Sequence, residues 1–368
     1  MKKLFILSVS FLLVFIVNAQ PAGAERGRGS DLGIMKKVAD WQLASWKTQG
    51  MRWPAYDWVN GACYAGLFAM GQVSGDSAYY KALYAIGESL DWNTGPRRQM
   101  ADDYCIGQMY AQMSQLYKDP RLLAHFRAQA DSICNRPHAE SLEWKNHIHL
   151  REWAWCDALF MGPAGLAMLS RATGDRRYLD MADTLWWKTT DYLFDPKEDL
   201  YYRDSRYFGQ KEANGKKVFW SRGNGWVMGG LVRMLDNMPA NYPDRPRFIR
   251  LFRQMAKRIA GLQQPDGTWH TSLLDPASYP NQETSGTGFY CYALAWGVHH
   301  GVLSRATYWP VVLKSWNALK AAVQPDGKLG WVQQIGDKPG AADANSTEAY
   351  GTGAFLLAGA QILAIEVR

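Results

Sequence analysis

A carboxylate set among indole rings is the most reactive arrangement in this chain. Asp157 lies in Arg151-Glu152-Trp153-Ala154-Trp155-Cys156-Asp157-Ala158-Leu159-Phe160, with two tryptophans before it and a wholly apolar continuation. Such surroundings desolvate the charged form, raise the pKa and make the group an acid able to donate a proton near neutral pH. Asp102-Asp103 offers a second carboxylate, and two nearby carboxyls are driven apart in pKa so that one can donate while the other stays charged. Their separation, which distinguishes retaining from inverting glycosidases, does not follow from chain spacing.

Arg222-Gly223-Asn224-Gly225-Trp226 places a planar cation, two glycines and an indole within five residues. Arg suits a bidentate grip on a carboxylate, and Trp suits the face of a sugar. The structural alternative is a Gly-rich helix start whose Arg is tied to a neighbouring acid. Asp57, Glu283 and Glu348 also precede apolar runs, and for Asp57 and Glu348 helix N-capping is the favoured reading. His147-Ile148-His149 and His299-His300 lack the further ligands of a metal site, and no nucleotide-binding or serine-hydrolase motif occurs. No metal or organic cofactor is expected.

A repeat supplies the elements that position these groups. Gln264-Pro265-Asp266-Gly267 recurs as Gln324-Pro325-Asp326-Gly327, and each precedes a Gly-Thr-Gly that opens an apolar run, at Gly286 and at Gly351. Similar starts at Asn60-Gly61-Ala62, Asp103 to Gly107, Asp157-Ala158-Leu159 and Gly223 to Trp226 bring the number to six. Between them, 33–49, 76–91, 120–135, 175–194, 244–264 and 306–323 carry charge on one side and apolar residues at helical spacing on the other. Helices apolar all round must be buried, whereas amphipathic ones face water. Six inner and six outer helices form an all-α (α/α)6 barrel, whose inner-helix loops gather as a funnel at one end. A short hairpin arm is expected from Leu200-Tyr201-Tyr202 to Tyr207-Phe208, with Lys216, Val218 and Phe219 as a return, inserted between an outer and an inner helix.

Composition narrows the class. The 368 residues include 17 Trp and 19 Tyr, and only 20% are charged, which excludes a chiefly disordered chain. The net charge of +7 has no basic run behind it beyond Arg97-Arg98 and Lys216-Lys217, so a nucleic-acid partner is not expected. Met1-Lys2-Lys3, an apolar run over 4–17 and Ala22-Gly23-Ala24 read as a bacterial secretory signal over 1–24, with an alternative cut after Ala19. The expected product is an exported, periplasmic or secreted single domain over 25–368, not inserted in a membrane. The five cysteines are scattered through apolar segments and read as buried thiols.

Four segments taken together resemble glycoside hydrolase family 105, the unsaturated rhamnogalacturonyl hydrolases, and more distantly family 88. They are Ala101-Asp102-Asp103-Tyr104-Cys105-Ile106-Gly107-Gln108, Trp155 to Met161, Arg222 to Trp226, and Ser285-Gly286-Thr287-Gly288-Phe289. The resemblance implies an (α/α)6 hydrolase that removes a Δ4,5-unsaturated uronic acid from the non-reducing end of lyase-made oligosaccharides, rhamnogalacturonan foremost, by hydrating the C4=C5 bond. It implies Asp157 as acid and base, Asp103 in preference to Asp102 as the second carboxylate, and Arg222 with Trp226 as the substrate-binding pair. His147 stands nearest the position of the family's sugar-site histidine. Arg203 replaces a histidine of some relatives and would suit a carboxylate or sulfate. Asn224, Trp155, Trp58 and Ser285 complete the candidate substrate contacts. The alternatives are another (α/α)6 glycosidase or lyase, and a non-catalytic glycan-binding protein.

Overall fold

The computed structural model describes residues 22–366. The leader expected over 1–24 therefore lies, except for its last three residues, outside the described residues. Amphipathic segments became the outer helices α1 (Ala22–Gln49), α3 (Ser77–Ser89), α5 (Ala124–Cys134), α7 (Arg176–Leu193), α9 (Arg245–Ala260) and α11 (Arg305–Ala321). Alternating with them are the inner helices α2 (Trp58–Ser74), α4 (Cys105–Tyr117), α6 (Ala158–Thr173), α8 (Ser221–Asn237), α10 (Thr284–His299) and α12 (Ala349–Glu366). Each inner helix packs on the next and α12 closes on α2, so the ring is complete and the fold is an (α/α)6 barrel.

The two kinds of helix differ as their sequences require. α9 buries Phe248, Leu251, Phe252, Met255, Ala256 and Ile259, a stripe at spacings of three and four, each large side chain contributing roughly 1.5–3 kcal/mol. α10 is buried continuously from Thr284 to Val298 because it has no polar face to turn outward. Small residues let the inner helices touch. A Cβ on Gly66 would stand 2.6 Å from the Gly353 carbonyl oxygen, so α2 and α12 meet backbone to backbone.

The repeated Gln-Pro-Asp-Gly segments are one turn used twice. Asp266 accepts from Thr268 N at 2.8 Å and Asp326 from Lys328 N at 3.0 Å, while Gly267 and Gly327 take φ of 92° and 106°. Each turn carries the chain from an outer helix toward the next inner one. The expected hairpin pairs differently. Strand β2 (Leu200–Tyr201) lies antiparallel to β1 (Phe194–Asp195), because Asp195 caps a tight turn by accepting from Lys197 N at 3.0 Å, and Lys217 bridges to Lys211 instead. No helix among the described residues is long and apolar enough to cross a membrane.

Candidate active site

The N-terminal ends of the inner helices converge on the barrel axis, where rings from α2, α8 and α12 touch. Trp58 stacks on Tyr350 at 5.4 Å and 15°, and meets Trp226 edge-on at 5.8 Å. Asp157 occupies the N-terminal cap of α6 beside this cluster and is only 8% exposed. Arg203 Nε stands 3.5 Å from Asp157 Oδ2, and the Cys156 thiol donates to the same oxygen at 3.5 Å. Burial pushes the Asp157 carboxyl up from its ordinary value, against the opposing pull of the Arg203 and Arg222 guanidiniums. Asp157 Oδ1 is engaged by no other side chain.

The β2 segment and the turn after it aim Arg203. Cys156 N donates to Arg203 O at 2.9 Å, Arg203 Nη1 donates to Asp204 at 2.8 Å, and the guanidinium lies over the Trp144 ring at 4.8 Å. Arg206 covers the same indole at 4.6 Å and also holds Asp204. Of these two cations Arg203 contacts Asp157, while Arg206 is paired with Asp204 and Asp337.

Asp102 and Asp103 share the single turn Ala101–Tyr104 that opens α4, yet point to different partners. Asp103 is buried and accepts from Arg97 N at 2.6 Å, from Arg97 Nε at 3.0 Å and from Arg97 Nη2. The Asp102 carboxyl accepts no hydrogen bond among the described residues. Its pKa is pushed up to about 7, chiefly by burial, with the negative charges of Asp103, Asp157 and Asp57 adding and Arg97 opposing. Part of its surface remains reachable although protein surrounds it, as expected on the wall of a funnel. The preference for Asp103 is therefore corrected: its charge is consumed in anchoring the 93–98 loop, and Asp102 presents the free carboxyl.

The Arg222 block also needs correction. Arg222 is fully buried, and its Nη1 and Nη2 donate to the carbonyls of Gln333 at 2.5 Å and Gln334 at 3.0 Å. It lies against Trp220 at 4.5 Å and Tyr350 at 4.8 Å, which leaves no bidentate face for a substrate carboxylate. Trp226 is likewise fully buried, packed on Phe160 at 4.9 Å and Phe289 at 4.3 Å, so no sugar reaches it. Asn224 binds the Tyr201 backbone on both sides, accepting at 2.8 Å and donating at 3.0 Å, and so fixes β2. Ser285 donates to Glu283, which also accepts from Gly286 N at 2.7 Å and Gln333 N at 3.2 Å. These residues build the floor beneath the site; Trp58, half-buried above them, is the aromatic within reach.

Trp155 is 3% exposed and presents its edge to Trp144 and His149. His147 is exposed, held outward by left-handed backbone at Asn146 and His147, with φ of 51° and 50°. That turn brings in His149 instead, stacked on Trp144 at 5.0 Å and 14°. Its pKa is lowered, chiefly by burial and then by His147, Arg203 and Arg97. Trp144, His149 and Arg206 were missed in the sequence. The His-x-His pattern was visible, but which histidine turns inward depends on backbone handedness. Among the described residues no group of three or more His, Cys, Asp or Glu is arranged to hold a metal ion.

The family model described as Glycosyl Hydrolase Family 88 matches residues 34–365. An unsaturated 3S-rhamnoglycuronyl hydrolase of Formosa agariphila is 40% identical over 322 residues, covering 84% of this chain and 85% of that protein. The structure of a family 88 glycosyl hydrolase from Bacteroides vulgatus superimposes with a TM-score of 0.81 at 30% identity, over 92% of this chain and 99% of that one. A possible family 105 member from Salmonella enterica shares the fold, with a TM-score of 0.76 at 20% identity over 97% and 99% of the two chains. With a family match across almost the whole barrel and such a relative, this chain belongs to glycosyl hydrolase family 88 and is a glycoside hydrolase.

Proposed function

We propose that the enzyme releases a Δ4,5-unsaturated uronic acid from the non-reducing end of oligosaccharides made by polysaccharide lyases, with Asp157 as the proton donor. The observation that carries this reading is the pair of carboxyls at the barrel mouth, Asp157 buried and Asp102 half-buried. Both have raised pKa values, and Asp157 has one oxygen held by Arg203 and Cys156 and the other free. Protonated Asp157 delivers its proton to C4 while water adds at C5. The resulting carboxylate takes a proton from that water, regenerating the acid. The C5 hemiketal opens at the ring oxygen, leaving a C5 ketone and a C1 hemiacetal, which collapses to an aldehyde and expels the aglycone as an alcohol. Asp102 keeps a second, ionisable carboxyl facing the developing positive charge at C5.

The name of the Formosa agariphila relative supports rhamnose, 3-sulfated, as the aglycone in place of a rhamnogalacturonan fragment. The Arg203 guanidinium beside Asp157, with Arg206 on the same Trp144 ring, favours an anionic substrate. The leader over 1–24 supports export, to the periplasm or beyond. The test is to follow ultraviolet absorbance of the conjugated C4=C5 bond in lyase-made ulvan-type and rhamnogalacturonan oligosaccharides, in D2O. Absorbance should fall as deuterium appears at C4. Cleavage of saturated oligosaccharides, with the absorbance of the unsaturated ones unchanged, would instead establish an ordinary glycosidase.

A further inference from the structure

The inner helices converge a second time, at their C-terminal ends. There they border two adjoining open cavities of about 630 and 220 Å³, both lined by Gln72 of α2, Gln112 of α4, and Arg233 and Asp236 of α8. The larger falls within the roughly 300–1,000 Å³ typical of small-molecule sites. Arg233 is eleven residues beyond Arg222 on α8, so the chamber lies about 16 Å along the helix from the catalytic end.

Arg233 is 6% exposed and borders both cavities. Its Nη1 meets only the Met168 sulfur at 3.7 Å, its guanidinium lies 5.8 Å from the Phe160 ring centre, and neither Nε nor Nη2 has an acceptor in the protein. The one carboxylate on the chamber wall, Asp236, accepts from Trp296 Nε1 at 2.6 Å and feels the charges of His300, Arg233 and Arg171 without a direct hydrogen bond to the Arg233 fork. Converging helix C-termini carry partial negative charge and offset part of the cost of burying this cation. They leave its planar fork unfilled. Arg171 adds a second positive charge to the wall, and Gln112 Oε1 is also buried without a donor. A guanidinium fork matches a carboxylate, while amides match hydroxyl groups.

We propose that this chamber is a second ligand site, separate from the catalytic funnel, for a small hydroxylated carboxylate of hexuronate size. Its carboxylate pairs with Arg233 and its hydroxyls meet Gln72, Gln112 and Asn237. The test is calorimetric titration of D-glucuronate into the full chain, with D-glucose as the uncharged control and the funnel variant Trp58→Ala for comparison. One binding event should weaken at least tenfold in Arg233→Gln, persist in Trp58→Ala and be missing for glucose. Because Arg233→Gln can unsettle the barrel, Gln115→Trp, on the exposed rim of the chamber, should remove the same event while leaving turnover at saturating substrate within about twofold. The proposal is overturned if every glucuronate-binding event survives Gln115→Trp, if all are lost in Trp58→Ala, or if glucose binds equally well.

Discussion

Asp102 and Asp103 are adjacent in the chain, yet Asp103 is locked by three donors of Arg97 while Asp102 faces the funnel without a hydrogen bond. One 3-10 turn separates a paired carboxylate from an unpaired one. The assignment predicts opposite consequences for the two substitutions. Asp102→Asn should lower kcat by about a hundredfold or more with no loss of melting temperature, the scale of an electrostatic contribution to a transition state. Asp103→Asn should mainly lower the melting temperature, because Arg97 loses its partner and the 93–98 loop its anchor. Comparable kcat losses with intact stability in both variants would contradict it.

Asp102 also makes stability depend on pH. Its folded-state pKa, about 7, lies above the ordinary carboxylate value of 3.8, so the folded state favours the protonated form. That contribution is fully present below pH 4 and is lost as pH rises through 7. Thermal melts should therefore show Asp102→Asn gaining on the wild type between pH 4 and pH 8, with the two coinciding in their pH trend at the acid end.

Asp157→Asn should abolish turnover while leaving substrate affinity within a few-fold, measured by calorimetry on an unsaturated disaccharide. The asparagine keeps the volume and the contact with Arg203 but carries no transferable proton. Retained turnover would remove Asp157 from the reaction.

Arg203 opposes the upward push of burial on Asp157. Arg203→Gln should raise the Asp157 pKa further, so the fall of kcat/KM on the alkaline side should move to higher pH. A profile that stays put, or moves toward acid, would show that another group limits that side.

Trp58 and Trp226 touch but should respond differently. Trp58→Ala, at the reachable surface, should raise KM with little loss of stability. Trp226→Ala empties a fully buried site and should destabilise the fold by about 3–5 kcal/mol in denaturant titrations.

The barrel was readable in the sequence because its signals are local. An apolar stripe at helical spacing in α9, continuous apolar runs such as 284–298, and a duplicated Gln-Pro-Asp-Gly turn each reflect interactions within a few residues. The burial of Asp157 was readable for a related reason, since its flanking tryptophans already announce desolvation. The rest of the site depends on groups brought together from far along the chain. Arg222 resembles an open cation until the 333–334 carbonyls close over it, more than a hundred residues away in sequence. Trp226 resembles a sugar platform until Trp58, Phe160 and Phe289 surround it. His149 replaces His147, and Asp102 replaces Asp103, because one left-handed turn and one 3-10 turn direct adjacent side chains to opposite sides. Residue type is local chemistry and survives in the sequence; exposure and direction are set by which distant backbone packs against each side chain.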